Sequence, residues 1–392
     1  MNIDILNNEV QKFIDDNLKT DVHKIILSKP RFINVTQKEL VEQIESKVKA
    51  KIKLPTWYNT NNIYYPNKLN LSQTSSEITA NYKAKIIAGE SLIDITGGFG
   101  VDSYAFSKKV KQVTHIEKNK ALSQIAKYNF GKMGVLNITC IPEDGLAFLE
   151  KTSETYNWLY VDPSRRDKEN NKVYYLSDCE PNVVSNMHLL LTKSANLIIK
   201  TGPLLDIKSG LKELSFVKEI HIIAVNNDVK ELLWVIQKGF SNEPIVKTIN
   251  FKLNYIQKFD FYFSDEENTF SQFSEPLNYL YEPNASILKS GSFQFVGKSF
   301  NLHKLHPNSH LYTSETLLEF PGRIFKIEKV YDYSKKVFKK TGLFKANITT
   351  RNFPDSVEKI RKKLSIKDGG DNYLFFTTNI DEKLIIISCS QI

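Results

Sequence analysis

The sequence predicts an α/β protein built on a parallel sheet with helices on both faces, led by a helical region and followed by further α+β material. Three observations point there. From residue 91, short β-branched runs alternate with stretches long enough for crossover helices. A glycine-rich turn leaves the first of those runs, where open α/β sheets bind ligands. Residues 1 to about 88 instead repeat their apolar positions at helical spacing.

Thr36-Gln37-Lys38-Glu39 has the form of a capping box, and Leu40, Val41, Ile44 and Val48 then recur on one helical face. A second clear helix is expected near 74 to 88, carrying Ile78, Tyr82, Ile86 and Ile87. Strands are expected at 91 to 95, 112 to 117, 137 to 141, 158 to 162, 196 to 200, 219 to 225 and 231 to 236. The first five are separated by crossover lengths and read as parallel. The last two flank Asn226-Asn227-Asp228 and read as an antiparallel hairpin, which makes a seven-stranded sheet. Beyond 245, aromatic strands are expected near 249 to 263 and a helix at 284 to 289, then strand, helix, strand, helix and two strands. The loop HPNSH (306 to 310) reads as a boundary region. Four regions result: 1–88, 89–245, 246–321 and 322–392.

The 392 residues allow two to four domains at roughly 150 residues each. With 41% hydrophobic and 25% charged residues and no run approaching a spanning helix, a membrane protein is not expected. The amino terminus is polar and acidic where an export signal would be basic and then apolar, so the expected compartment is the cytoplasm. Cys140, Cys179 and Cys389 lie far apart without nearby histidines, and neither a disulfide scaffold nor a metal site is expected.

Charge is not spread evenly. Residues 323 to 363 hold thirteen Lys and Arg against four acids, which equals the net +9 of the whole chain. A polyanion site is expected there, with Lys335, Lys336, Lys339, Lys340, Arg361, Lys362 and Lys363 as phosphate contacts; the plainer reading is a solvated lysine-rich face.

In Asp94-Ile95-Thr96-Gly97-Gly98-Phe99-Gly100 the glycines let the backbone turn sharply and approach a ligand. The third glycine of a dinucleotide fingerprint is missing, which disfavours a nicotinamide cofactor. Asp94 suits a cationic amino group, Glu117 at the end of the second strand suits a ribose diol, and Glu143-Asp144-Gly145 follows the third strand where an adenine amino group would lie. Asp162-Pro163-Ser164-Arg165-Arg166 follows the fourth strand and supplies the catalytic candidates Asp162 and Pro163. The chain has six arginines against 47 lysines, and two of the six stand here, where a planar fork would grip phosphate or carboxylate. Ser164 lacks a nucleophile-elbow pattern, so acyl transfer is not expected.

Together, DITGGFG (94–100), HIEKN (115–119), PEDG (142–145) and YVDPSRR (160–166) resemble the class I S-adenosylmethionine-dependent methyltransferases. The resemblance implies a Rossmann-like sheet and S-adenosyl-L-methionine as cofactor. It would place the methionine end on Asp94, Thr96, Gly97, Gly98, Phe99 and Gly100, the ribose on Glu117 and the adenine on Asp144. LPTWY (54–58), SSEITANYKA (75–84), YLYEPNASILKSG (279–291) and KIRKKLSIKDGGDNYLF (359–375) are similar to bacterial methyltransferase-like proteins with a ferredoxin-like domain, here 246–321, and a THUMP-like domain, here 322–392. That implies an RNA substrate, tRNA or rRNA, and base N-methylation by direct transfer. The usual Asp/Asn-Pro-Pro-aromatic loop is absent, since Ser164 and Arg165 follow Pro163; Tyr174 or Tyr175 is a candidate for the missing ring. Cys179 has no motif that would make it a carbon-methylating nucleophile. A catalytically inactive RNA-binding or assembly protein and a small-molecule methyltransferase stay open as alternatives.

Overall fold

The computed structural model describes residues 1–164 and 175–392, and its contacts divide the chain into two compact units. The first comprises Met1–Val217 with Trp234–Ser241 and the second Lys218–Leu233 with Asn242–Ile392. No described helix is long and apolar enough to cross a membrane.

The capping box forms as its sequence dictates. Thr36 Oγ1 accepts from the Glu39 amide at 3.2 Å while Glu39 Oε2 accepts from the Thr36 amide at 2.9 Å, and the helix Gln37–Lys53 follows. The helix expected near 74 to 88 is shorter, Glu77–Ala84, and starts on Ser76. Five parallel strands come next: β1 (Ser91–Asp94), β2 (Gln112–Ile116), β3 (Ile138–Ile141), β4 (Trp158–Val161) and β5 (Asn196–Thr201), in the order β3-β2-β1-β4-β5. The chain builds outward from β1 to β3 and then crosses to β4 on the other side. The carboxyl ends of β1 and β4 therefore flank a topological switch, the place where open α/β sheets bind ligands. The amino-terminal helices pack onto this unit through buried polar and aromatic contacts. Asn129 accepts from the Tyr64 amide at 3.0 Å and donates to its carbonyl at 2.9 Å, and Trp57 meets Tyr104 edge-on at 4.7 Å.

In the second unit β6 (Val217–Val225) and β7 (Asp228–Gln237), through which the division runs, are joined by Asn226 and Asn227, both at positive φ (51° and 65°) as a tight hairpin turn demands. Two strands more than the seven expected follow: β8 (Ile245–Phe251) runs parallel to β6, and β9 (Ile256–Tyr262) antiparallel to β8. A second sheet of seven strands takes β10 (Tyr279–Pro283), β11 (His303–Lys304), β12 (Tyr312–Ser314), β13 (Gly322–Asp332), β14 (Lys345–Arg351), β15 (Lys367–Thr378) and β16 (Leu384–Gln391) in the order β11-β12-β10-β13-β16-β15-β14. Alternate side chains divide between its faces. Phe375, Ile385 and Ile387 enter one core cluster, Leu374, Phe376 and Ile386 the other, so both faces are buried. The loop HPNSH is not a boundary: it links β11 to β12, and His306, 4% exposed, ties it down by accepting from the Asn308 amide and pairing with Glu382.

Candidate cofactor and substrate site

Asp94 ends β1, and its carboxylate organises the turn that follows. Oδ1 accepts from the Thr96 amide at 3.0 Å and Oδ2 from the Ser103 hydroxyl at 2.6 Å. The residue is 1% exposed, and burial, with the negative charges of Asp102 and Asp162 nearby, pushes its carboxyl up to about 7 against the lowering hydrogen bonds of Ser103 and Thr96. The Gly97 amide donates to the Ile116 carbonyl at 2.8 Å, which folds the turn over the end of β2. Gly97 has no alternative residue: a Cβ there would lie 2.1 Å from the His115 ring. Gly98 differs, because at φ +55° a Cβ on it would meet nothing closer than the Thr96 carbonyl at 3.8 Å. The surface over Gly98 is open, a cradle that a side chain would fill. Phe99 contributes only backbone, since its ring is 2% exposed and packs against Trp57.

Glu117 leaves β2 and reaches back to the same turn. Oε2 accepts from the Gly98 amide at 2.9 Å and Oε1 from the Asn119 amide at 2.7 Å, leaving each oxygen a lone pair for a diol. Asp144 caps the helix Gly145–Lys151, its Oδ1 accepting from the Leu146 and Ala147 amides at 3.1 Å, and it is exposed. Gly145 explains its placement, because a Cβ would sit 2.3 Å from the Ile95 carbonyl, and only glycine lets this helix start against the turn. The three acids thus gather around one turn. Glu117 and Asp144 face outward; Asp94 lies beneath.

On the other side of the switch, the Asp162 amide donates to Thr96 Oγ1 at 2.7 Å, tying the end of β4 to the glycine turn. Asp162 Oδ2 pairs with the Lys200 ammonium from β5, and the Asp162 side chain is 31% exposed. Pro163 is buried, while Ser164 exchanges backbone hydrogen bonds with Glu180 at 2.7 and 3.1 Å. Glu180 in turn pairs with Lys118 at 2.9 Å, which joins the loops after β2 and β4. Arg165, Arg166 and Tyr174 lie outside the described residues. Tyr175 is 58% exposed. Cys179 is buried.

Sequence reasoning missed a polar network under the turn. Lys83, fully buried on the helix Glu77–Ala84, lies 3.1 Å from Asp102 Oδ1 and donates to Ser75 Oγ at 2.8 Å. Asp102 Oδ2 accepts from Ser75 Oγ at 2.7 Å and from Tyr160 at 3.0 Å, and against the raising effect of burial Lys83 and Lys200, with the Ser75 hydroxyl, hold its carboxyl low. Ser103 Oγ, the donor to Asp94, also lies 3.0 Å from His115 Nδ1. The only signal was the motif SSEITANYKA, which contains both Ser75 and Lys83.

The basic residues of the carboxyl-terminal region divide into two sets. The helix Lys335–Lys339 buries Phe338 in the core and leaves Lys335, Lys336, Lys339 and, beyond it, Lys340 exposed. On the helix Val357–Leu364, Ile360 and Leu364 face inward and Lys362 is exposed. Arg361 is consumed internally, by the Ala346 carbonyl and Asp368. Lys363 sits 4.2 Å from the Tyr333 ring and 3.7 Å from Asp355. Arg323 and Arg351 grip the two oxygens of Glu282, whose side chain is 3% exposed. The Glu282 pairs and the Arg361 contacts hold the fold together, while Lys363 keeps 45% of its side chain exposed.

Glycine turn, acidic strand ends and switch point define the class I S-adenosylmethionine-dependent methyltransferase fold, here with appended domains. The ferredoxin-like domain family matches residues 279–321 and the THUMP domain-like family residues 322–391. A crystal structure from Porphyromonas gingivalis W83, described as a candidate methyltransferase, is 31% identical with a TM-score of 0.88, covering 99% of this chain and 98% of that one. The chain belongs to the family of that protein: class I methyltransferase-like proteins with ferredoxin-like and THUMP-like carboxyl-terminal domains. A protein of Mycoplasma mobile named as an uncharacterized RNA methyltransferase is 26% identical over 92 residues, 24% of this chain and 25% of its own length.

Proposed function

We propose that this protein is a methyltransferase that uses S-adenosyl-L-methionine to methylate RNA, a tRNA or rRNA, at a base nitrogen. The observation that carries the reading is the open cradle over Gly98, with Glu117 bonded to its amide and Asp144 brought beside it by Gly145. Bound there, the cofactor supplies a methyl group already activated on a sulfonium. The chain's own residues would bind, orient and exclude water. The Glu117 oxygens would accept the ribose hydroxyls, and the second oxygen of Asp144 the adenine amino group, while the turn from Thr96 to Gly100 approaches through backbone. Among the described residues Asp162 Oδ1 has no partner, Oδ2 being held by Lys200, and it would accept from a substrate amino group; with the Pro163 carbonyl it would direct the nitrogen lone pair at the methyl carbon. Arg165 and Arg166 would hold substrate phosphate beside them. Lys335, Lys336, Lys339, Lys340 and Lys362 would supply salt-dependent affinity for the RNA backbone, supported by the THUMP domain-like match and the name of the Mycoplasma relative.

The test is methyl transfer from labelled S-adenosyl-L-methionine to total RNA, followed by mass spectrometry of its nucleosides. Wild type should label RNA and Asp162→Ala should not. The Lys200 pair on Asp162 and the absent Pro-aromatic pattern favour a second reading, an RNA-binding or assembly factor. RNA modification that survives Asp162→Ala in cells lacking the native copy would support it.

A further inference from the structure

We propose that three carboxylates and two ammonium groups gathered around the carboxyl ends of β1 and β4 make this site select the methyl donor over its demethylated product by net charge. The inference rests on the cofactor reading above. The cluster is assembled from every element around Asp94. The helix Val101–Ser107 brings Asp102 and Ser103, β2 brings His115, and the end of β4 brings Asp162. Lys83 lies against Asp102 and Lys200 against Asp162. His115 is neutral, its buried ring held down to about 4. With all three acids ionised, the described residues of the cluster sum to one negative charge. Asp94 carries this deficit, because Asp102 and Asp162 each have a lysine, whereas among the described residues Asp94 has neutral donors alone, the Thr96 amide and hydroxyl and the Ser103 hydroxyl.

S-adenosyl-L-methionine carries one more positive charge than the thioether it leaves behind. With Asp94 ionised, the donor brings the cluster to neutrality and the product leaves it negative. With Asp94 protonated, the donor leaves it positive and the product neutral. Asp94, Asp102 and Lys83 are buried and their charges weakly screened, while Asp162, 31% exposed, is screened more, so the balance is felt without direct contact chiefly through the buried three. Lys83 is a positioning residue here: it keeps Asp102 ionised, and it comes from the amino-terminal helices, which the sheet itself does not require.

Calorimetric titration of the full chain with donor and with product at pH 6, 7 and 8 tests this. A group titrating near 7 changes its ionised fraction about tenfold between pH 6 and 8, so donor affinity should rise by up to about tenfold and the donor-to-product preference by several-fold. Asp102→Asn removes a neighbouring negative charge and should move the midpoint to lower pH. Ser103→Ala removes a bond to the carboxylate and should move it higher, and it reports alone should Asp102→Asn fold poorly. Loss of packing does not produce opposite shifts. If both ligands bind with a preference that ignores pH and Ser103→Ala, the charge inference is overturned and the cofactor reading stands. If neither binds to folded protein, both fall.

Discussion

Replacing Gly98 by alanine separates a ligand cradle from a merely structural turn. At φ +55° an alanine pays for a left-handed backbone, about 1–2 kcal/mol, but its Cβ meets only the Thr96 carbonyl at 3.8 Å. For a unit of roughly two hundred residues that is a drop in Tm of about 2–8 °C. Over the same atom the proposed ligand would have to lie, and a methyl group there should weaken binding of S-adenosyl-L-methionine at least tenfold. The assay pairs thermal melting with equilibrium binding of the labelled donor. Gly97→Ala is the comparator: its Cβ would enter the His115 ring at 2.1–2.6 Å, and overpacking of about 1–3 kcal/mol or more should dominate its behaviour. If Gly98→Ala binds the donor as wild type does, nothing occupies the space above the turn, and the reasoning fails.

Asp94→Asn should trade function for stability. The folded carboxyl lies above its unfolded value, so the folded state holds more protons between about pH 4 and 7, and stability falls as pH rises through that window. The amide removes the loss: ligand-free protein should gain at pH 8 relative to pH 4, with a ceiling on the order of 4 kcal/mol, and equal effects in urea titrations at both pH values would contradict this. Glu282→Gln leaves two guanidinium groups without their anion, and because both are a third exposed to solvent the cost should be about 2 kcal/mol, below that of a fully buried pair; an unchanged urea midpoint would refute it. Changing Lys335, Lys336, Lys339 and Lys340 together to alanine should flatten the dependence of log affinity for RNA on log salt by about 0.7–0.9 for each phosphate no longer neutralised, and an unchanged slope would remove this face from the interface.

The elements that announce themselves locally were readable from the chain. The capping box at Thr36 and the Asn226-Asn227 turn depend on neighbours within a few residues, and the five strands announce themselves by β-branched runs with crossover-length gaps between them; each forms where the pattern puts it. The glycine turn with Glu117 and Asp144 was legible for a related reason, since strand ends are where such a fold gathers its loops. What escaped was pairing at a distance. Lys83 looks like any solvent-facing helical lysine until Asp102, from another helix, is folded against it. The charge count met the same obstacle: Arg323 and Arg351, counted with the basic stretch, are paired with Glu282 within the fold. Strands β8 and β9 were read only as aromatic segments beyond the sheet, because nothing in their alternation tells which neighbour they join.

Saturation binding of labelled S-adenosyl-L-methionine to the full chain, in wild type and in Glu117→Ala, tests the central claim most directly. The account predicts one site per chain, displaceable by the thioether product and lost with the carboxylate that bridges Gly98. Folded protein that shows no saturable binding, or binding indifferent to Glu117, would contradict it.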